Sequence, residues 1–236
     1  MSAAILRANG PLCSAAWVAF VVHLLAGVAM AAALSQGLDT NADLHARLHF
    51  LAHQTLWWNL AWLTWNGAAL TMLWFVVCFA QAHGNRLAGR IAVCFTTAAI
   101  ALDLGAEAIE MGALPDLART ILADLQQTAN PPSLLLFQSL HRLAVMLTGY
   151  GANGLYSLSA LLLAWSTRRE YRYWAWPAGA AVGVIGLALS GAVLVNSVAG
   201  MVIGNLLLGP CLLYWLLAVA LAHRATIEDK PPAEGA

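Results

Sequence analysis

Charge is what this chain has least of. Charged residues fill only 9% of its 236 positions, and the formal net charge at pH 7 is zero. Soluble domains are nearer a quarter charged, so composition alone excludes an ordinary soluble fold. There is no basic block and no interleaving of arginine with aromatics, which excludes nucleic acid as a partner. Four cysteines are present and none forms a CxxC pair, so neither a disulfide relay nor a thiolate cluster is expected. Cys13, Cys78, Cys94 and Cys211 read as small apolar packing residues. Nucleophilic-serine, prenyl-diphosphate, desaturase and phosphatase signatures are all missing, as are internal repeats. Any active site must therefore be assembled from separate helices.

What fills the space is hydrophobic: 61% of residues, with a mean hydropathy of +0.73. A bilayer core takes about 20 apolar residues per helix. Six stretches qualify, at 12–34, 56–80, 91–112, 143–165, 174–195 and 201–222. The expected fold is an all-α, six-transmembrane-helix bundle over residues 1–224, followed by a disordered polar tail at 225–236.

Orientation follows from arginine and lysine, which short cytoplasmic loops retain. Arg7, Arg86, Arg90, Arg168, Arg169, Arg172, Arg224 and Lys230 fall on one side of a six-span thread. The other side keeps Arg47, Arg119 and Arg142 beside Asp39, Asp43, Asp116 and Asp124. Both termini are thus expected in the cytoplasm, in a multi-pass protein of the cell (inner) membrane. The first span, ending in small residues, also has the outline of a cleavable signal; its length and His23 favour retention.

Trp57, Trp58 and Trp62 on the outer side, and Trp165, Tyr171, Tyr173, Trp174 and Trp176 on the inner, read as interfacial belts. Gly179 and Gly183 form a GxxxG pair, extended by Gly186 and Ser190, suited to close helix packing within the chain or to a homo-oligomer seam. Two outer connections exceed simple turns. Thr40 or Asn41 is expected to cap a helix running into the second span. Residues 115–128 are expected to form an amphipathic helix, with Leu117, Ile121, Leu122 and Leu125 as its stripe, lying on the outer membrane surface in preference to covering a cavity mouth.

Against this apolar background the stretch "LDLGAEAIEMG" at 102–112 is anomalous. Asp103, Glu107 and Glu110, at steps of four and three, occupy one stripe of a membrane helix. A central acid costs about 2.5–3.5 kcal/mol to insert, so the three need partners, protons, water or a metal. Polar residues from the other spans lie at matching depth: His23, Asn66 and Asn153 near the midplane, and His53, Asn59, Gln138, His141, Arg142, Asn196 and Asn205 further out. Together they predict a polar cavity open to the outer face.

Chemistry could arise there in several ways. Asp103, Glu107, Glu110, His141 and Arg142 form a candidate catalytic set, with a desolvated Glu107 as general acid. His49, His53, Glu107 and His141 are candidate ligands for zinc or non-haem iron, because imidazole and carboxylate suit both. His45 and His49 are another helical pair one turn apart. Bis-histidine haem through His53 and His141 is a minor variant. The sharpest expected function is a metal-dependent or acid/base site acting on a lipid or membrane-dissolved small molecule. Two further readings stay open: a structural or assembly accessory, with Arg142 neutralising Glu110 or Glu107, and a proton- or cation-coupled transporter.

Overall fold

A computed structural model describes residues 3–126, 128, 131–171 and 174–228. Arg172, Tyr173, Lys230 and the tail from 229 onward lie outside them. Every regular element among the described residues is helical, with no strand. Helix α1 (Ala3–Ala29) passes through a π-helical segment, Met30–Leu34, into a last turn α2 (Ser35–Gly37). Then come α3 (Leu44–His53), α4 (Thr55–Ala82), α5 (Leu87–Gly112) and α6 (Leu114–Asp124). Helix α7 (Pro132–Val145) runs through a second π-helical segment, Met146–Ala152, into α8 (Asn153–Ser166). Helices α9 (Ala175–Leu194) and α10 (Val198–Glu228) complete the chain.

The long helices form a closed ring in chain order. Helix α1 packs on α4, α4 on α5, α5 on α8, α8 on α9, α9 on α10, and α10 returns to α1. Short connections between α4 and α5, α8 and α9, and α9 and α10 favour antiparallel neighbours, while the longer ones on the other side hold α3 and α6. The α4–α5 turn is tight enough to need left-handed backbone at Gly84 and Asn85.

Five stretches are long and apolar enough to cross a membrane: Gly10–Gly37, Thr55–Ala82, Leu87–Asp124, Ala175–Leu194 and Val198–Ala222. The expected fourth span, 143–165, is not among them. It does hold a place in the ring between α5 and α9. Its middle carries Thr148, Asn153, Ser157 and Ser159, and a helix enclosed by neighbours can hold such groups where a lipid-facing one cannot.

The two ends of the ring differ in filling. At the end bearing Arg86 and Arg168, Leu12, Phe75, Phe79, Leu163, Trp215 and Leu216 form a closed apolar core. Phe75 meets Phe79 and Trp215 edge-on, at centroid distances of 5.7 and 5.4 Å. The opposite end is capped. Leu48 and Leu51 of α3, Leu114, Ala118 and Ile121 of α6, and Phe137 of α7 bury together with Leu34, Trp58 and Trp62. Large exposed apolar residues, such as Leu56, Leu70, Val184 and Leu206, cover the outer wall of the ring, as lipid contact requires.

This cap revises several expectations. The amphipathic segment is helical over Leu114–Asp124 and buries Leu114, Ala118 and Ile121, so it seals the bundle end instead of lying on the membrane surface; positions 127, 129 and 130 lie outside the described residues. Helix α3 ends at His53, separate from α4, and its cap is Asp43, whose carboxylate accepts from the Ala46 amide at 3.0 Å. Trp58 and Trp62 are core residues, whereas Trp57, Trp165 and Trp174 are exposed as a belt requires. Helix α10 continues to Glu228, taking in the first four residues of the expected tail.

Gly179 and Gly183 face the chain itself. A β-carbon at Gly179 would lie 2.8 Å from Trp215, and one at Gly183 would lie 2.3 Å from Leu161. Their faces are occupied by α8 and α10, the close helix packing within the chain that the pair was expected to allow.

Candidate functional site

The acids all lie on the face of α5 turned into the bundle. Alanine and glycine at most intervening positions keep the helix narrow, and Asp103, Glu107 and Glu110 are 8%, 3% and 2% exposed. Their surroundings differ at each step.

Asp103 meets the second π-helical segment. The Thr148 hydroxyl donates to Asp103 Oδ1 at 2.5 Å. This approach depends on small residues: a β-carbon at Gly151 would come within 2.8 Å of Leu102, and one at Gly149 within 2.9 Å of Val193. The π-helical widening turns Thr148 toward α5, a local departure of a kind that clusters at functional sites. Tyr156, two turns further along, stands beside Asp103 and Glu107 with its hydroxyl buried and facing the Asp103 carboxyl.

Glu107 has no direct partner on its Oε2, which is enclosed. One turn outward, Glu110 Oε1 lies 2.9 Å from His141 Nδ1, while its Oε2 is enclosed and unpartnered. Trp58 Nε1 donates to the Glu110 backbone carbonyl at 2.8 Å and ties α4 to the same turn.

His141 is a bridge. Its Nε2 faces Asp39 Oδ2 at 3.9 Å, in the loop that follows α2. Arg47 of α3 donates through Nε to the Gly37 carbonyl at 3.1 Å and lies over the Phe137 ring at 6.0 Å. Its charge reaches both Asp39 and Glu110. The neighbouring His141 ring, ahead of the Arg47 charge, holds the Asp39 carboxyl below its ordinary range although burial pushes the other way. Burial lowers the Arg47 guanidinium from its ordinary value.

Of the expected neighbours, His141 is the one with a bond to an acid among the described residues. Arg142 donates to the Val193 carbonyl at 2.8 Å, and the cation whose charge reaches Glu110 is Arg47. His23 bonds the Ala19 carbonyl of its own helix at 2.8 Å, on a helix that packs on α4 and α10. Asn66 bonds within α4, and Asn205 within α10. Asn153 joins α8 to α9 through the Gly186 carbonyl at 2.7 Å and Ser190 Oγ at 2.9 Å.

The metal set is not assembled. His45, His49 and His53 are exposed, and although the rings of His49 and His53 lie 4.4 Å apart, no acid joins them. Among the described residues no group of three His, Cys, Asp or Glu side chains is placed to hold an ion. Helix α3 turns its leucines inward, which places its histidines on the opposite side; a His pair four apart shares a face but does not choose which face is buried. His53 and His141 accordingly do not form a haem-ligating pair either.

The acids are enclosed, where an outward-open cavity was expected. Two hollows lie elsewhere: one of about 290 Å³ lined by Leu161, Trp165 and Trp176, and one of about 480 Å³ at the arginine end beside Tyr171, Trp174 and Tyr214.

Fold and site together define a polytopic helical membrane protein with a buried carboxyl–imidazole cluster beneath a helical cap. No family model matches the chain, and no curated protein or solved structure is significantly similar to it.

Proposed function

We propose that this protein is a six-span membrane protein in which Asp103 and Glu107 carry out acid/base chemistry on a lipid or membrane-dissolved small molecule. The observation that carries the reading is Glu107 Oε2: enclosed, unpartnered, and flanked by acids that do have partners. A buried carboxyl without a partner is costly to keep, and perturbed carboxyls of this kind concentrate at sites that exchange protons. Asp103, held by Thr148, is the fixed member of the pair, and Glu107 is the member free to give or take a proton. The helical place of 132–166 in the ring supports a six-span count. The arginine asymmetry supports cytoplasmic termini in a cell (inner) membrane.

A structural role is the second reading, favoured by the Glu110–His141 contact, which joins α5 to α7. Transport has less support, because the acid stripe stops at Asp103 above the apolar core and offers no continuation.

The test is label transfer. Purified protein in nanodiscs is incubated with total membrane lipid extract in deuterium oxide or heavy-oxygen water, and the extract is analysed by mass spectrometry. Isomerisation or proton exchange introduces deuterium; hydrolysis introduces heavy oxygen. The expected result is a labelled component that Glu107→Gln no longer produces. Absence of any labelled component with the wild type leaves the structural reading.

A further inference from the structure

We infer that Asp39, His141 and Glu110 form a proton relay joining the buried acids to the aqueous phase on the capped side of the bundle. This inference rests on reading those acids as a proton-transferring site, and it adds the route and the side from which protons come.

Exposure falls steadily along the three side chains: 31% at Asp39, 7% at His141 and 2% at Glu110. His141 presents a different ring nitrogen to each carboxylate, Nε2 to Asp39 at 3.9 Å and Nδ1 to Glu110 at 2.9 Å. An imidazole placed this way accepts a proton on one nitrogen while releasing another from the opposite one. In the forward step, the partly exposed Asp39 side chain closes its 3.9 Å gap to Nε2 and, when protonated, gives its proton to that nitrogen as the Nδ1 proton passes to Glu110 Oε1. Asp39 is left as carboxylate, His141 neutral with its proton on Nε2, and Glu110 protonated. The unpartnered Oε2 atoms of Glu110 and Glu107, one helical turn apart, continue the line inward.

Charged groups on the elements around His141 are accounted for. Arg47 from α3 attends Asp39 and Glu110, Arg119 and Asp116 bond each other on α6, Asp124 accepts from Ser133 at 2.9 Å, and Arg142 donates to Val193. At the arginine end Glu170 accepts from Arg86 at 2.7 Å and lies 3.4 Å from His83 Nε2, while His83 Nδ1 meets the Phe79 carbonyl of its own helix at 2.7 Å; among the described residues no buried acid follows that pair inward. There the buried hydroxyls of Thr96 and Ser159 bond each other and the Ala92 carbonyl, and Phe75, Phe79 and Trp215 fill the ring.

The experiment is infrared spectroscopy of the protein in nanodiscs, following deuterium exchange of the buried carboxyl whose band disappears in Glu107→Gln. His141→Gln and Asp39→Asn are each expected to slow exchange by about 100-fold, the low end of what a positioned proton donor contributes, while Arg142→Gln leaves it unchanged. Asp39→Asn alters a partly exposed loop residue, so it keeps the test decisive if His141→Gln does not fold. Exchange at the wild-type rate in folded Asp39→Asn overturns the relay, because a route from the arginine end is blind to Asp39. A wild-type carboxyl that never exchanges overturns it as well. Label-transfer activity that persists when exchange ignores Asp39 defeats the relay alone; relay-dependent exchange without any labelled product defeats the acid/base reading alone.

Discussion

The two halves of this ring face the same problem, burial inside six helices, and solve it differently. The arginine-end half is closed by aromatic edges and by bonded hydroxyls, with Trp176 Nε1 enclosed there without a direct partner. In the capped half, enclosed atoms of Glu107, Glu110, His141, Asn59, Trp62 and Trp65 lack direct partners. Such atoms each carry a desolvation cost of about 1–3 kcal/mol, more for charged groups. The contrast shows that enclosed carboxyls are localised in one half of the ring, the half to which the proposed proton chemistry is assigned.

The strongest way to break the contrast is to move an acid across it. Leu163→Glu places an unpartnered carboxyl among Leu12, Phe75 and Trp215. The effective penalty is several kcal/mol per buried ion, so thermal unfolding in nanodiscs should show a loss of at least about 4 kcal/mol, the range of exceptional single mutations. A Leu163→Glu bundle as stable as the wild type would mean that the arginine half is not the closed core described above.

Removing His141 comes next. His141→Ala leaves Glu110 with neither oxygen partnered and should cost about 3 kcal/mol, the low end for breaking a buried pair. The double variant His141→Ala with Glu110→Leu should recover much of that loss, because two apolar groups replace a broken pair. Failure of the double variant to recover would show that the pair does not act as a unit.

Within the ordered half, the predicted effect is smaller. Gly183→Ala drives a β-carbon into Leu161 and to within 2.9 Å of the Ser157 carbonyl. Over-packing of this kind costs about 1–3 kcal/mol. Unfolding should be affected without any change in carboxyl exchange, which separates packing from proton chemistry.

How much of this was legible in sequence depends on which force sets each feature. Hydropathy placed the helices closely, since Thr55–Ala82 and Ala175–Leu194 nearly coincide with 56–80 and 174–195. The acid stripe was legible from steps of four and three, and His141 from its depth. Asp39 and Arg47 were not, because loop residues reach the site only through the fold of the cap, to which no periodicity points. Thr148 was hidden for another reason. Regular α-helical spacing does not reveal a π-helical segment, although the glycines of "TGYGANG" mark a place where backbones approach. Arg142 was misplaced because depth fixes a level on a helix but not which neighbour the side chain meets.

Acid sharpens the same comparison through Asp39. Its carboxyl is held below the ordinary range by His141, so its contribution to stability is complete above the unfolded value, about 3.9, and is lost as pH falls through the lower folded value. Unfolding temperature measured against pH should drop over that acid limb in the wild type. His141→Gln should flatten the drop, because the group depressing Asp39 is gone. An unchanged limb in the variant would show that Asp39 is not coupled to His141.

The smallest effect on stability is expected at the centre of the site. Glu107 Oε2 has no direct bond to lose, and neutralising an enclosed carboxyl relieves desolvation. Glu107→Gln should therefore unfold within about 0.5 kcal/mol of the wild type or slightly above it, the range of substitutions that break no packing or bonding feature. A structural account in which Glu107 itself holds helices together predicts the reverse, since replacing such an acid must lower stability. A stable Glu107→Gln bundle that has lost label transfer separates what builds the protein from what it does. A marked loss of stability, measured by thermal unfolding in nanodiscs, would assign Glu107 to the scaffold and erase the distinction between the two halves.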